Sequence, residues 1–254
     1  MKTLQFEKAD IAKGFLILVN PLYPLKNDMP KENLVPASPE AAHILLERQT
    51  AKMLSKAMAF LGCEREIIPV SGYRTMQEQQ TIYTDTLCEH GEDFTQKYVA
   101  IPGCSEHQTG FAVDLALNRE TIDFIRPNFP YTGICQRFRD ISTQYGFIER
   151  YPAEHEQITH IAHEPWHFRY VGYPHSETMK KSALTLEEYT DYLKQFLYQG
   201  NHLKLKINWH NYEIFYVPVQ NEKEVIIEIP DGIPYQVSGN NVDGVVVTLW
   251  RERL

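Results

Sequence analysis

The chain has 254 residues, 43% hydrophobic and 23% charged, an ordinary globular composition with room for one large domain or one domain and an appendage. A formal charge of -8 argues against nucleic acid or an anionic membrane as a general partner, since either calls for a basic face. The four cysteines (Cys63, Cys88, Cys104 and Cys135) include no CxxC pair, so the thiols read as reduced, partly buried and held in a reducing compartment.

In chain order, positions 7 to 13 mix acidic and basic residues, and the apolar run Phe15 to Val19 is too short for a secretion-signal core. No stretch approaches the roughly 18 apolar residues of a membrane span. The chain therefore reads as cytoplasmic. Phe15 to Asn20 is expected to form a short buried strand, followed by a proline-bearing loop through Pro39. A helix should then begin with Ser38 as N-cap and Pro39 at its first position. Ile44, Leu45, Ala51, Leu54, Met58 and Leu61 fall at helical spacing, and Gly62 closes the segment. Ile67 to Val70 predicts a strand leading into Ser71-Gly-Tyr-Arg74. A helix capped by Thr75 and Glu78 follows and ends near Gly91, after which 92–104 reads as loop.

Residues 111–117, FAVDLAL, predict a buried strand. Helical pieces interrupted by Pro127 and Pro130 are expected over 119–145, with ICQRFRDISTQYG the clearest. GFIERY and WHFRYVG predict strands facing each other across an irregular, histidine-rich connection, and a capped helix runs from Thr185 to Gly200. Composition then shifts to alternating β-formers over 203–250, with turn signals at NEKE, PDGIP and SGNN. The pattern is α+β: mixed helices packed on a small antiparallel sheet, with a small all-β C-terminal appendage. The expected division is 1–200 and 201–254.

His107 and Asp114 lie in one short segment, Ser105 to Asp114, and a third candidate ligand, His167, ends the run Glu-Pro-Trp-His at 164–167. Two imidazoles and one carboxylate leave a coordination position open, the pattern of a catalytic rather than a structural zinc. Pro165 argues for extended or turn backbone there, and Glu164 could take a proton from water beside the metal. Each residue alone has a plainer reading: a lone strand histidine is usually a packed one, and an aspartate can end a strand. His160, His163 and His167 form a rival cluster at i, i+3 and i+7, which Pro165 counts against. Arg74 is either a solvated turn arginine or a guanidinium aimed at a carboxylate or an oxyanion.

Together these residues resemble a known family. S-x-H-x-x-G-x-A-x-D occurs as Ser105, His107, Gly110, Ala112 and Asp114; E-x-W-H occurs as Glu164, Trp166 and His167. SGYR is followed by Gln79, and residues 16–25, LILVNPLYPL, complete the set. Over about residues 15–175 the chain resembles the zinc D-alanyl-D-alanine peptidases of the VanY and VanXY type.

The resemblance implies one zinc ion on His107, Asp114 and His167, with Glu164 as general base and Arg74 polarising the scissile carbonyl. It implies that Ser105 binds the terminal carboxylate of the substrate and that Tyr73 and Gln79 line the pocket. Trp166 would form its wall. Gly110 and Ala112 read as small residues that allow close backbone packing. The implied reaction releases D-Ala from the dipeptide D-Ala-D-Ala and from the UDP-linked muramyl pentapeptide, and so supports vancomycin resistance. Two alternatives stand beside it. One is an L-alanyl-D-glutamate endolysin whose residues 203–250 bind cell wall; the other is a non-catalytic zinc-binding module.

Overall fold

The computed structural model describes residues 1–207, 209–219 and 224–251. The chain forms two compact units: Met1–Leu18 with Leu186–Leu254, and Val19–Thr185. These differ from the expected division at residue 200, because the first residues join the C-terminal ones. The chain opens on β1 (Lys2–Phe6), a strand that sequence reasoning missed because its partner lies at the other end of the chain. Leu16 to Val19 are buried as expected, yet they form no strand. Leu16 N–H donates to Ser238 Oγ at 2.8 Å and Leu18 N–H to the Asn240 carbonyl at 3.0 Å, so loop groups satisfy this backbone in place of a ladder.

In the Val19–Thr185 unit, the helix expected from Ser38 begins only at Arg48. Ser38 Oγ accepts from Ala41 N–H at 3.1 Å and closes a turn between β2 (Leu34–Pro36) and β3 (Leu45–Glu47). A Ser-Pro pair serves a turn as readily as a helix start, and here the turn wins. The true cap of α1 (Arg48–Leu61) is Glu47, whose carboxylate accepts from the N–H groups of Gln49 (2.8 Å) and Thr50 (3.0 Å). Ala51, Leu54, Ala57 and Met58 form its buried stripe, and Gly62 ends it at a φ of 63°.

After β4 (Ile67–Ser71), Thr75 and Glu78 form the expected capping box of α2 (Met76–His90). The following stretch is not all loop: Gly91 separates α2 from a short α3 (Glu92–Tyr98). Then come β5 (Ala112–Leu117), α4 (Gly133–Ser142), β6 (Phe147–Tyr151), α5 (Glu156–Thr159), β7 (Glu164–Tyr170) and α6 (His175–Ser182). Only α4 and a 3-10 turn at 143–145 are helical in the stretch containing Pro127 and Pro130.

The sheet of this unit has the order β4-β5-β7-β6, and its paired strands are antiparallel. Asp114 lies opposite His167 and Ala112 opposite Arg169; Val113 lies opposite Phe168. Successive side chains alternate between faces, so the register puts polar groups on one face and apolar groups on the other. On the apolar face Phe168 meets Phe129 and Phe138 edge-on, with centroids 5.4 and 5.1 Å apart.

In the second unit, α7 (Leu186–Leu193) is shorter than the helix expected to reach Gly200, and Leu197 instead bridges Tyr216. Five strands follow: β8 (Leu203–Ile207), β9 (His210–Pro218), β10 (Val225–Ile229), β11 (Tyr235–Gly239) and β12 (Gly244–Arg251). Four of them form a sheet of order β11-β12-β9-β8, while β10 pairs with β1, Lys2 opposite Ile229 and Phe6 opposite Val225. Phe6, Phe215, Val217, Ile227, Ile229, Val245, Val247 and Leu249 make one buried core, which is why residues 1–18 belong here. The turn expected at NEKE falls mostly on 221–223, outside the described residues.

Candidate active site

His107 sits on a single 3-10 turn, Glu106–Thr109, rather than in a strand; the strand begins later, at Ala112. Gly110 ends the turn at a φ of 70°, and a Cβ there would come within 3.1 Å of Glu47 N. The positive φ favours glycine, and the space beside it is tight. Asp114 and His167 face each other across β5 and β7. His107 Nε2 is 3.2 Å from Asp114 Oδ2, and His167 Nδ1 is 2.9 Å from Asp114 Oδ1. All three side chains are buried, with ligand atoms within 4.8 Å of one another.

The partner of its other ring nitrogen sets the tautomer of His107. His107 Nδ1 donates to the Gly72 carbonyl at 2.6 Å, which leaves Nε2 as a lone pair. His167 Nε2 lies 3.6 Å from Glu106 Oε2, beyond hydrogen-bond distance, while Nδ1 is turned toward Asp114. The His107 Nε2 lone pair, His167 Nδ1 and the Asp114 carboxylate lie together, a donor set that fits a divalent cation once His167 gives up its proton. Burial lowers His107 to about 4, with the Arg74 charge adding to it. Burial works against His167 as well, but its hydrogen bond with Asp114 and the nearby Glu106 carboxylate raise it to about 9. Burial also opposes ionisation of Asp114, yet the two histidines hold it well below the usual carboxylate range.

Glu164 opens β7. In a regular strand residues three apart point to opposite faces, yet Glu164 Oε2 lies 3.7 Å from His167 Nδ1. β7 is irregular here: Glu149 pairs with Phe168 but Tyr151 pairs with Glu164, so β7 carries two extra residues and its side chains need not alternate strictly at the site. Burial raises Glu164 to about 8, with Asp114 adding to the effect against the pull of His167 and Arg74.

A cleft of about 330 Å³ is lined by Arg74, Gln79, Ser105, His107, Asp114, Glu164, Trp166 and His167 among others. Arg74 Nε is buried without a hydrogen-bond partner, and the Arg74 N–H donates to the His107 carbonyl at 3.3 Å. Gln79 Nε2 is held by the Ala100 carbonyl at 2.7 Å, which leaves its Oε1 buried and unpartnered. Tyr73 departs from expectation: it is not among the cleft-lining residues, and its hydroxyl points to the Met29 carbonyl at 3.5 Å. His160 and His163 do not join the trio. His160 caps α5, while His163 stacks on Tyr131, the ring centroids 5.8 Å apart.

Sequence reasoning missed the charges behind His167. Glu106 is fully buried between Arg150 (2.8 Å) and Arg169 (2.9 Å), themselves fully buried. Burial favours the neutral acid, but the two guanidinium groups hold Glu106 well below the carboxylate range. Charged residues inside the strand patterns GFIERY and WHFRYVG were the available signal, since strands that bury both faces rarely carry arginine. Tyr151 also lies against His167, with ring centroids 5.0 Å apart.

Residues 43–173, which hold every one of these side chains, match the VanY model, D-alanyl-D-alanine carboxypeptidase. The chain belongs to the VanY family. It is 42% identical over 185 residues to the bifunctional D-Ala-D-Ala dipeptidase and D-Ala-D-Ala carboxypeptidase VanXYC of Enterococcus gallinarum, covering 72% of this chain and 97% of that protein. The crystal structure of the vancomycin-resistance D,D-dipeptidase VanXYg in complex with a D-Ala-D-Ala phosphinate analogue superposes with a TM-score of 0.95. Its sequence is 49% identical, over 98% of this chain and 99% of that one. A VanY D,D-pentapeptidase from a VanB-type resistance cassette, in complex with Zn(II), is 28% identical with a TM-score of 0.58, over 69% of this chain and 98% of that one. VanY-family proteins are peptidases, and this one carries a buried trio able to hold a metal.

Proposed function

We propose that this protein is a zinc-dependent D,D-carboxypeptidase and D,D-dipeptidase. It hydrolyses the D-Ala-D-Ala ends of the free dipeptide and of the UDP-linked muramyl pentapeptide, releases D-Ala and so supports vancomycin resistance. The observation that carries this reading is the convergence of His107 Nε2, His167 Nδ1 and the Asp114 carboxylate beside Glu164. His107, Asp114 and His167 would hold one zinc ion, which when bound would supply Lewis acidity for the scissile carbonyl and lower the pKa of water. Glu164 accepts the proton of the attacking water and hands it to the departing amine of the terminal D-Ala. A carboxyl raised to about 8 takes and returns a proton at similar cost near neutral pH.

Arg74 stabilises the oxyanion; its buried, unpartnered Nε is a donor without a protein acceptor. Ser105 receives the terminal carboxylate, Gln79 Oε1 accepts an N–H of the peptide, and Trp166 forms the wall. Val19–Thr185 is the catalytic domain in this reading. Four free cysteines, Cys88 among them exposed, support a cytoplasmic site of action.

The endolysin alternative is not favoured, since VanXYC, 42% identical, and VanXYg, which superposes at a TM-score of 0.95, are named as D-Ala-D-Ala dipeptidase and D,D-dipeptidase. Glu164 poised beside the trio counts against a non-catalytic module. The test is product analysis with D-Ala-D-Ala and a precursor pentapeptide, with and without zinc. Zinc-dependent release of D-Ala supports the reading. Clearing of purified cell walls without that release would overturn it.

A further inference from the structure

Glu164 reaches the metal-binding trio only because the β6–β7 ladder is irregular, and that irregularity leaves backbone groups without strand partners. At its centre, the carbonyl of Pro165 accepts from Arg139 Nη2 at 2.5 Å. Arg139 lies on α4, far from any of the family motifs in the chain, and is 9% exposed. Its guanidinium also donates from Nη2 to the Phe129 carbonyl (2.7 Å), from Nη1 to the Pro130 carbonyl (2.8 Å) and from Nε to Glu149 Oε2 (2.7 Å). The Tyr131 ring lies 4.0 Å from its carbon. Glu149 is the last β6 residue paired in register with β7 before the shift. One planar group thus joins the strand on the near side of the irregularity to the carbonyl at its centre.

We infer that Arg139 is a positioning residue for Glu164: it holds the Pro165 peptide so that the general base points at the trio. The inference rests on Glu164 being the base. A rigid fork of donors suits three carbonyls and a carboxylate at once, and a lysine ammonium cannot span them. Proline supplies no N–H to the ladder, so this carbonyl is the only hydrogen-bonding handle on the Pro165 backbone.

Arg139→Ala and Arg139→Lys are compared with wild type and Glu164→Ala in D-Ala-D-Ala hydrolysis, alongside zinc content and thermal melting. Displacing a base by about 1 Å costs roughly 100-fold. Both Arg139 variants should therefore lose about that factor in kcat, with KM and zinc content near wild type. Arg139 also lines a separate cavity of about 280 Å³, which gives a small cation access to the vacated site. Guanidinium ion at millimolar concentration should restore kcat in Arg139→Ala and leave Glu164→Ala inactive. Full kcat in a folded Arg139→Lys, or a lowered melting temperature with unchanged kcat and no rescue, would overturn the inference. An Arg139→Ala that does not fold leaves the decision to kcat of Arg139→Lys. Activity surviving in Glu164→Ala would instead refute the reading of Glu164 as base.

Discussion

The molecule contains two four-stranded antiparallel sheets built for opposite ends. In the sheet β11-β12-β9-β8, the face that carries Phe215, Val217, Val245, Val247 and Leu249 is buried and apolar. Each such side chain contributes about 1.5–3 kcal/mol by leaving water. In the sheet β4-β5-β7-β6, one face carries Asp114, His167 and Arg169, with Glu106 and Arg150 buried against them. Buried ion pairs are on balance no better than apolar residues of the same volume, because desolvation offsets their attraction. The first sheet therefore contributes stability, while the second forgoes it to hold imidazoles and carboxylates at a fixed geometry. The apolar face of that second sheet, where Phe129, Phe138 and Phe168 interlock, compensates locally.

The sharpest break in this comparison is removal of the metal. Chelation, or His167→Ala, should abolish zinc-dependent release of D-Ala, and zinc should raise the melting temperature of the wild type but not of the variant. Glu164→Gln should lower kcat by about 10²–10⁴. Its melting temperature should hold or rise, because a buried carboxyl with a raised pKa is itself unfavourable. A stability loss matching the activity loss would contradict the division of labour between the sheets.

Next come two substitutions of similar cost and different consequence. Glu106→Ala removes the carboxylate shared by two buried arginines, Arg150 and Arg169, and should cost roughly 3–5 kcal/mol. It should also weaken zinc binding in chelator competition by about 10–100-fold, through loss of the negative charge 3.6 Å behind His167 Nε2. Phe215→Ala should cost about 3–5 kcal/mol in denaturant unfolding, while zinc affinity stays at the wild-type value.

The smallest effect concerns the ion pair of the apolar sheet. Burial alone would raise Glu213, but the His202 hydrogen bond and the Arg251 charge hold it below its ordinary value. A depressed carboxylate adds stability above its unfolded-state pKa of 4.5 and loses it as pH falls through the lower folded value. Glu213→Gln should thus cost up to about 1 kcal/mol at pH 7. The difference from wild type should vanish in acid, as urea melts across pH 3–7 can establish.

Local signals survived into the structure where the interaction they encode is itself local. The Thr75–Glu78 capping box and the Gly62 stop need only neighbouring residues, and both stand where they were read. Ser38-Pro39 is also local chemistry, but it fits a turn and a helix start equally, and pairing of β2 with β3 chose the turn. β1 carried no readable signal, because a five-residue strand is defined by its partner, here β10 near the other terminus.

For the site, motifs along the chain singled out the trio, Glu164, Arg74, Ser105 and Gln79 through a family resemblance, and all of them line one cleft. Only the tertiary structure decided that Tyr73 turns away toward Met29, and that Glu106 lies between two arginines. It alone brought Arg139 to the Pro165 carbonyl. Those contacts depend on strand register and on the packing of α4, and a charged side chain inside a strand does not announce its partner. A motif lists the groups that do chemistry, while the groups that hold them are chosen by whatever the fold brings within hydrogen-bond reach.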